Sequence, residues 1–273
     1  MNRRATLVTE TFDVEALDRS LAETIFKGKV QYLRETGSTN TLAIGAANDG
    51  ALEGTVFVAD QQTQGRGRGG HSWHSEPHSS LLFSFIVRPK IRAADALWLS
   101  LMAGVAVSDG LREHTGLRPD LRWPNDLLLN GKKFCGILTE LSTDGAAVRH
   151  AVIGIGVNVN QASFPDDLNS IATSLRIESG RQWSRIELLA ALLKSIDTEY
   201  NSLIADLARV GKPGALLARL KSASSYVEAK RVHVAEGEGY EGITAGLDER
   251  GFLLVRTGDG MRKVISGGVR ALE

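Results

Sequence analysis

Residues 61–78, QQTQGRGRGGHSWHSEPH, combine glycine and arginine in a spacing that suits the binding of an anion. The glycines let the backbone approach a ligand closely and move between open and closed forms. Arg66 and Arg68 add permanent positive charges whose planar donors fit a carboxylate or a phosphate. The stretch therefore suits either a mobile loop over an anionic ligand in an enzyme or a disordered RNA-binding segment.

A second group of polar residues lies in RWPNDLLLNGKK, residues 122–133. Asn130-Gly131 is a hairpin signal, and the predicted hairpin returns the chain so that Lys133 lies near Asp126. A carboxylate and an ammonium group beside an arginine loop suit phosphate activation, which needs a cation on the phosphates and an anion for a metal or an incoming amine. Taken singly, Asp126 is equally well interpreted as a turn cap and Lys133 as a solvated hairpin residue.

A third group is GIGVNVN, residues 154–160. Gly154 and Gly156 within a buried strand indicate the close approach of a ligand or of another backbone. Asn158 and Asn160 carry amides that can read the edge of a base. By itself this pattern is better explained as a strand that runs into an asparagine turn.

The composition narrows the classes of protein. The 273 residues include 32 Lys+Arg and 32 Asp+Glu, so the formal charge is zero. A general nucleic-acid binder needs an excess of basic residues to neutralise phosphates. We therefore expect no nucleic acid as a partner. The only cysteine, Cys135, excludes an internal disulfide framework. With no signal-peptide pattern and no apolar run near ~18 residues, we expect a cytoplasmic protein without membrane contact.

The elements that must position these residues can be read along the chain. Asp13 and Gly28 bound a first predicted helix, and a strand then leads to Ser38 or Thr39 as the cap of a second helix. The arginine stretch lies between two apolar strands, GTVFVAD and SLLFSFIVRP. A disordered RNA-binding segment would lie outside the folded core. The stretch is therefore predicted to be part of a site.

Later segments complete the predicted fold. Long helices are expected at 95–116 and at about 184–209, with strands between them. From about Val227 onward, short alternating strands are separated by Asp, Glu and Gly turns. We predict an α+β fold in which a large catalytic domain, with a mixed or antiparallel sheet and flanking helices, precedes a small SH3-like β-barrel. The expected boundaries are residues 1–222 and 223–273.

Four motifs, in order, resemble those of biotin–protein ligases. They are Ser38-Thr39-Asn40, the loop from Gln62 to Trp73, the segment from Trp123 to Glu140, and the strand from Gly154 to Asn158. Order and spacing agree from about residue 35 to 175. The resemblance implies that biotin and ATP form biotinyl-AMP, and that biotin then passes to a lysine of the biotin carboxyl carrier protein domain of a carboxylase.

The resemblance also implies a role for each matched residue. The implied biotin-binding residues are Ser38, Thr39, Asn40, Gln62, Gly65, Arg66, Leu82, Gly136, Leu138 and Gly156. The implied ATP-binding residues are Arg68, Trp73, Asn125, Lys133 and Asn158. The implied catalytic residues are Lys133, Asp126, Arg66 and Arg68, with Asp126 also organising Mg²⁺.

Three positions depart from the family pattern. His71 stands where a third loop arginine is common, Arg122 replaces a lysine, and Gly268 stands where an acidic residue is usual. Arg122 keeps the positive charge but not its point geometry. The histidines at 71, 74 and 78 lie in an irregular loop and are not expected to bind a metal.

Other functions remain open alongside the ligase. A lipoate-type protein ligase shares the architecture, but the Gly-Arg-Gly-Arg loop argues against it. A DNA-binding biotin sensor needs a helix-turn-helix domain, and the roughly 35 residues before Ser38 have room for only one helix and one strand. A biotin-binding sensor without ligase activity is the third alternative. Both a monomer and a homodimer are compatible with the sequence.

Overall fold

Two β-sheets and the helices around them form the protein, a computed structural model that describes residues 12–272. The helices are α1 Val14–Ser20, α2 Thr39–Asn48, α3 Leu97–Thr115, α4 Asp166–Asn169, α5 Leu175–Ser179, α6 Arg185–Val210 and α7 Gly214–Ala223. The strands of the large sheet are β1 Val30–Thr36, β2 Val56–Gln62, β3 Ser80–Val87, β4 Asp120–Arg122, β5 Asp126–Leu129, β6 Lys132–Asp144 and β7 Ala147–Asn158. Those of the small sheet are β8 Glu228–Val234, β9 Tyr240–Leu247, β10 Leu253–Thr257, β11 Gly260–Lys263 and β12 Val269–Ala271.

The large sheet is mixed, as expected, with the strand order β1-β2-β3-β7-β6-β5-β4. β1 and β2 are parallel because α2 carries the chain across between them, and the remaining pairs are antiparallel. β3, β7 and β6 lie at the centre, and β3 is buried along its whole length. The candidate site residues on β6 and β7 therefore lie at the centre of the sheet.

Helices cover both faces of this sheet. α3 and α6 pack on one face and form the main core, while α2 packs on the other against Phe57, Ile86 and Val152. The segment Ala93–Thr115 is apolar enough to cross a membrane by composition, but 83% of its apolar window is buried inside the fold. This burial is typical of a core helix.

The predicted hairpin at Asn130-Gly131 is confirmed. Asn130 and Gly131 both have left-handed φ angles, 47° and 78°, as the predicted tight hairpin requires. The stretch LRWPNDLLL contributes to two short strands, β4 and β5, because the chain turns at 123–125 and pairs Arg122 with Asp126. This turn places Asn125 and Asp126 at the edge of the candidate site.

Four helices differ from the expectation: α1 is shorter than predicted, and α4, α5 and α7 were not predicted. The first begins after Asp13, whose Oδ1 accepts from the amide of Ala16 at 2.9 Å, but it ends at Ser20 instead of near Gly28. The turns after Ser20 are held by contacts with residues far away in the sequence. The Ile25 amide, for example, donates to the Asp197 carboxylate at 2.8 Å. α7 begins at Gly214, shortly after the predicted end of the preceding helix near residue 209.

The small sheet is antiparallel throughout, in the order β11-β10-β9-β8-β12. It packs against the large domain near α3, where the Trp123 indole donates to the Gly251 carbonyl at 2.9 Å. α7 ends at Ala223 and β8 begins at Glu228. The predicted division after residue 222 falls one residue before that helix end and stays a prediction.

Candidate active site

A cleft opens on the α2 face of the large sheet, beneath residues 63–79, here called the Gly-Arg loop. The N-terminus of α2, the end of β2 and the centres of β6 and β7 meet there. Most of the residues singled out in the sequence line this cleft. Its lining comprises Ser38, Thr39, Asn40, Gln62, Arg66, Gly67, Arg68, Trp73, Asn125, Lys133, Gly136, Ile137, Leu138, Gly154, Ile155 and Gly156.

The floor of the cleft is made of glycine backbone. Gly136 on β6 and Gly156 on β7 are register partners. A Cβ atom at Gly156 would lie 2.7 Å from the Trp73 ring, and one at Gly136 would lie 2.8 Å from it. Glycine at both positions therefore lets the indole lie directly on the sheet. The close approach expected at Gly156 is made here by Trp73, a residue of the same chain.

The Gly-Arg loop folds back on itself to deliver Trp73. The Trp73 amide donates to the Gly65 carbonyl at 2.9 Å, and the Gly67 amide donates to the His71 carbonyl at 2.7 Å. A Cβ atom at Gly65 would lie 2.8 Å from the Trp73 carbonyl oxygen. Gly65 is thus required for the fold of the loop, beside any role toward a ligand.

A row of hydrogen-bonded side chains, the polar array, forms one wall; its members are Gln62, Thr39, Ser84, Asn40 and Glu140. Gln62 Oε1 accepts from the Thr39 amide at 2.6 Å and from Thr39 Oγ1 at 3.0 Å. Ser84 Oγ lies 2.7 Å from Thr39 Oγ1 and 2.6 Å from Asn40 Oδ1. Asn40 Nδ2 donates to Glu140 Oε2 at 2.8 Å. The array links the end of β2 to β6 through the first turn of α2.

Ser84 was missed by the sequence reasoning. It is fully buried on β3, in an otherwise apolar strand, SLLFSFIV. A polar residue in a strand buried on both faces has to find a hydrogen-bond partner, and this was the available signal. Leu82 lies on the same face of β3 and is buried, but its side chain is not part of the cleft lining. Its implied contact with biotin stays a prediction.

The predicted proximity of Lys133 and Asp126 is confirmed by the geometry. Lys133 Nζ lies 2.6 Å from Asp126 Oδ1, and Arg122 Nη2 lies 2.7 Å from Oδ2 of the same carboxylate. Arg122, the departure from the family lysine, thus keeps a charge contact with Asp126. Lys133 Nζ also lies 5.4 Å from the centre of the Trp73 ring. The ammonium group therefore stands between the carboxylate and the cleft.

The two loop arginines have different partners. Arg66 Nη2 pairs with Glu140 Oε2 at 2.7 Å. Arg68 Nη1 donates to Asn125 Oδ1 at 3.2 Å, and within residues 12–272 no carboxylate oxygen lies within 4 Å of its guanidinium group. Burial lowers the pKa of Arg68 from its usual value, and the charge of Asp126 opposes that shift. Arg68 is thus a partly desolvated cation that suits an incoming anion.

Asp126 does not fit a protein-held Mg²⁺. Mg²⁺ prefers oxygen ligands with near-octahedral geometry, and both oxygens of Asp126 already face cations. Across the described residues, no group of three or more His, Cys, Asp or Glu side chains could hold a metal ion. Any Mg²⁺ that arrives with ATP would be held chiefly by phosphate oxygens, and no step below runs through it.

A second cavity adjoins the cleft and shares Trp73 and Lys133 with it. Asn158 lies in this cavity, where its Nδ2 donates to the Thr173 carbonyl at 3.0 Å. The sequence reasoning did not find its other walls, although apolar residues in a polar loop were a usable signal. These walls are Ser72, His74, Phe164, Leu168, Ile171 and Ala172.

The segment after α4 also fixes the backbone of Lys133. The Lys133 amide donates to the Ile171 carbonyl at 2.8 Å, and the Thr173 amide donates to the Lys133 carbonyl at 2.9 Å. Only tertiary structure could reveal this pairing, because it joins residues about forty positions apart. The second cavity and the lysine are thus mechanically connected.

Two other conspicuous residue types take structural places. Cys135 is fully buried, and burial raises the pKa of its thiol, so it fits the predicted role of a strand filler. His78 Nδ1 lies 3.1 Å from Asp60 Oδ2 at the end of the Gly-Arg loop. Asp60 is itself buried and pairs with Arg185 at 2.6 Å. This histidine therefore anchors the loop instead of binding a metal.

Comparison with known proteins identifies the class first. The profile of the biotin/lipoate A/B protein ligase family matches residues 32–158, and the profile of the biotin protein ligase C-terminal domain matches residues 230–269. A mixed sheet followed by a small antiparallel β domain, with both profiles in this order, defines a ligase of the biotin/lipoate class.

Individual relatives narrow the class. The chain is 39% identical over 234 residues to the bifunctional ligase/repressor BirA of Bacillus spizizenii, covering 85% of this chain and 70% of the relative. It is 32% identical to the biotin–[acetyl-CoA-carboxylase] ligase of Mycobacterium tuberculosis, covering 88% of this chain and 87% of the relative. The Aquifex aeolicus biotin protein ligase in complex with biotin and ATP superposes with a TM-score of 0.74, at 31% identity, covering 89% of this chain and 98% of that one. The chain belongs to the biotin protein ligase family and is an enzyme of that family.

Proposed function

We propose that this enzyme joins biotin to AMP at the expense of ATP and then transfers biotin to a lysine of a biotin carboxyl carrier protein domain, in the cytoplasm. One observation carries the proposal. Arg68 of the glycine-rich loop and the Lys133–Asp126 pair converge beside the polar array. This arrangement suits the activation of a carboxylate with a nucleotide.

The biotin end of the site is the polar array. Ser38 caps α2 by position, but its hydroxyl makes no capping hydrogen bond and lines the cleft. Together with Thr39 and Gln62 it offers donors and acceptors to the polar ring of biotin. Because Thr39 and Gln62 already bond to each other, they are held in fixed directions before the ligand arrives. The apolar chain of biotin would then run toward Lys133 along the Trp73 indole, which covers Gly136 and Gly156.

The activation step forms a mixed anhydride. A carboxylate oxygen of biotin attacks the α-phosphorus of ATP, a new P–O bond forms, and the bond to pyrophosphate breaks. Arg68 and Lys133 would stabilise the negative charge on the phosphate oxygens in the transition state. Lys133 would exchange its contact with Asp126 for one with the phosphate. Asn158 and Trp73 belong to the nucleotide side, in the adjoining cavity.

The transfer step consumes the anhydride. An acceptor lysine attacks the biotinyl carbonyl carbon, an amide bond forms, and AMP leaves. Asp126 would orient the incoming amine once Lys133 is engaged with the phosphate. The anhydride must be shielded from water until then, and the Gly-Arg loop covers the cleft in a position to do this.

Pyrophosphate release from ATP tests the proposal. The purified protein is assayed with biotin, with lipoate or with neither, and each reaction is run with and without a biotin carboxyl carrier domain. We expect biotin-dependent release and biotin on the carrier lysine. Release with lipoate alone would identify a lipoate-type ligase. Biotin binding without pyrophosphate release would identify a sensor.

Hydrogen exchange across residues 63–75 tests the role of the Gly-Arg loop separately. Biotin plus ATP should slow exchange there, because the bound anion gives Arg68 a charge-assisted hydrogen bond that offsets the cost of ordering the loop, about 1–2 kcal/mol per residue fixed. If RNA slowed exchange across these residues and biotin had no effect, the result would contradict the hypothesis that the loop belongs to an enzyme site.

A further inference from the structure

Glu140 has a place in the site that the proposed chemistry does not use. It lies on β6, two residues beyond Leu138, and one oxygen, Oε2, accepts from two different elements. Arg66 Nη2 of the Gly-Arg loop is 2.7 Å away, and Asn40 Nδ2 of α2 is 2.8 Å away. A single carboxylate oxygen thus joins the loop to the wall of the cleft.

The contact with Asn40 is directional. Asn40 Oδ1 faces the hydroxyl of Ser84 at 2.6 Å, and its Nδ2 faces Glu140 and the Leu138 carbonyl. A donor on one side and acceptors on the other allow only one orientation of the amide. Asn40 is nearly fully buried. Glu140 therefore fixes the amide, and through Ser84 it fixes the hydroxyl of Thr39 in the polar array.

The contact with Arg66 divides the work between the two loop arginines. Arg66 has its charge neutralised by Glu140, whereas Arg68, within residues 12–272, has only the neutral side chain of Asn125 at hydrogen-bonding distance. Side-chain exposure is 44% for Arg66 and 28% for Glu140, so the pair is partly shielded from solvent. An arginine held in this way serves as an anchor, and the second arginine is left for the anion of the ligand.

We propose that Glu140 is a positioning residue that anchors the Gly-Arg loop through Arg66 and, by the same oxygen, sets the polar array. The inference rests on the proposed function and deepens it, since it assigns Arg66 to the loop and Arg68 to the ligand. Loss of the anchor should loosen the loop in the ligand-free enzyme and weaken biotin binding. It should leave the chemical step intact, because neither Glu140 nor Arg66 then contacts the reacting atoms.

Glu140→Gln is the decisive variant because it keeps the shape and one acceptor oxygen but removes the charge. Charge-assisted hydrogen bonds are about twice as strong as neutral ones, so losing the charge of this partly exposed pair should lower the equilibrium constant for anchoring the loop about fivefold. We expect exchange of residues 63–75 and the KM for biotin each to rise about fivefold, with kcat for pyrophosphate release unchanged. Arg66→Gln should raise the exchange of residues 63–75 by the same factor, and exchange in the double variant should be no faster than in either single variant.

Glu241→Gln is the matched control, because it makes the same change opposite Arg231 in the small sheet, at 3.6 Å. It should alter neither loop exchange nor the KM. The anchor is refuted if Glu140→Gln leaves loop exchange and KM at wild-type values, if the effects of the two single variants multiply, or if kcat falls while KM holds. Loop exchange is measured without substrates, so this result does not depend on which reaction the enzyme catalyses.

Discussion

Gly154→Ala should damage the site through a single added methyl group. Gly154 lies on β7, directly beneath Asn40 of the polar array. A Cβ atom there would overlap the Asn40 amide oxygen and lie 2.7 Å from its Cγ. The amide has no free direction in which to move, since it is bonded to Ser84 on one side and to Glu140 on the other. Either the array breaks or the strand shifts.

The cost follows from these contacts. Restoring an ordinary contact of about 3.4 Å requires the Asn40 side chain to move about 0.7 Å at Cγ, which disrupts its hydrogen bonds. Overpacking of this kind costs roughly 1–3 kcal/mol. Losing the charge-assisted bond to Glu140 adds about 1.5–3 kcal/mol. The sum, roughly 2.5–6 kcal/mol, should lower Tm by about 5 °C or more in a chain of this size and abolish tight biotin binding.

Calorimetric unfolding and biotin titration measure the two effects. Gly45→Ala is the control, because Gly45 lies in the same helix as Asn40 with nothing within 4 Å of an added Cβ atom. That substitution should stabilise the protein by about 0.5–1 kcal/mol and leave biotin binding unchanged. If Gly154→Ala matches wild type in both Tm and biotin affinity, the reasoning about a rigid array beneath α2 is wrong.

Three further substitutions give distinct outcomes. Lys133→Ala should slow adenylation severely without unfolding the protein, and near-normal pyrophosphate exchange would reduce Lys133 to a hairpin residue. Arg68→Ala should weaken retention of biotinyl-AMP by roughly 1.5–3 kcal/mol, seen as faster loss of the adenylate in rapid gel filtration, whereas unchanged retention would remove Arg68 from the site. Burial and then the hydrogen bond to Asp60 raise the pKa of Tyr32 to about 12. The contribution of the Tyr32 hydroxyl to stability is therefore complete below its unfolded-state pKa of about 10 and is lost as the pH rises through about 12. Tyr32→Phe should therefore flatten the pH dependence of the free energy of unfolding, measured in urea, between pH 10 and 12. An unaltered pH profile would contradict this assignment.

The sequence by itself determined most of the local structure and the identity of the site. Alternating and continuous apolar runs determine the strands, because burial on one or both faces leaves little choice of residue. Asn130-Gly131 determined its hairpin, since only such residues accept two left-handed φ angles in succession. Residues near a ligand are constrained by its chemistry, so arginine, lysine and glycine in this spacing indicated a candidate site from the sequence alone.

Tertiary structure decided which partners these residues have. Arg66 and Arg68 are two positions apart in the same motif, yet one pairs with Glu140 and the other faces Asn125. The hydrogen-bond partner of Ser84 is decided only when β3 packs beneath α2. These contacts join residues 44 to 74 positions apart, and local propensity contains no information about them. The energy of a buried polar contact depends on what the packed fold places opposite it, which the order of residues alone does not specify.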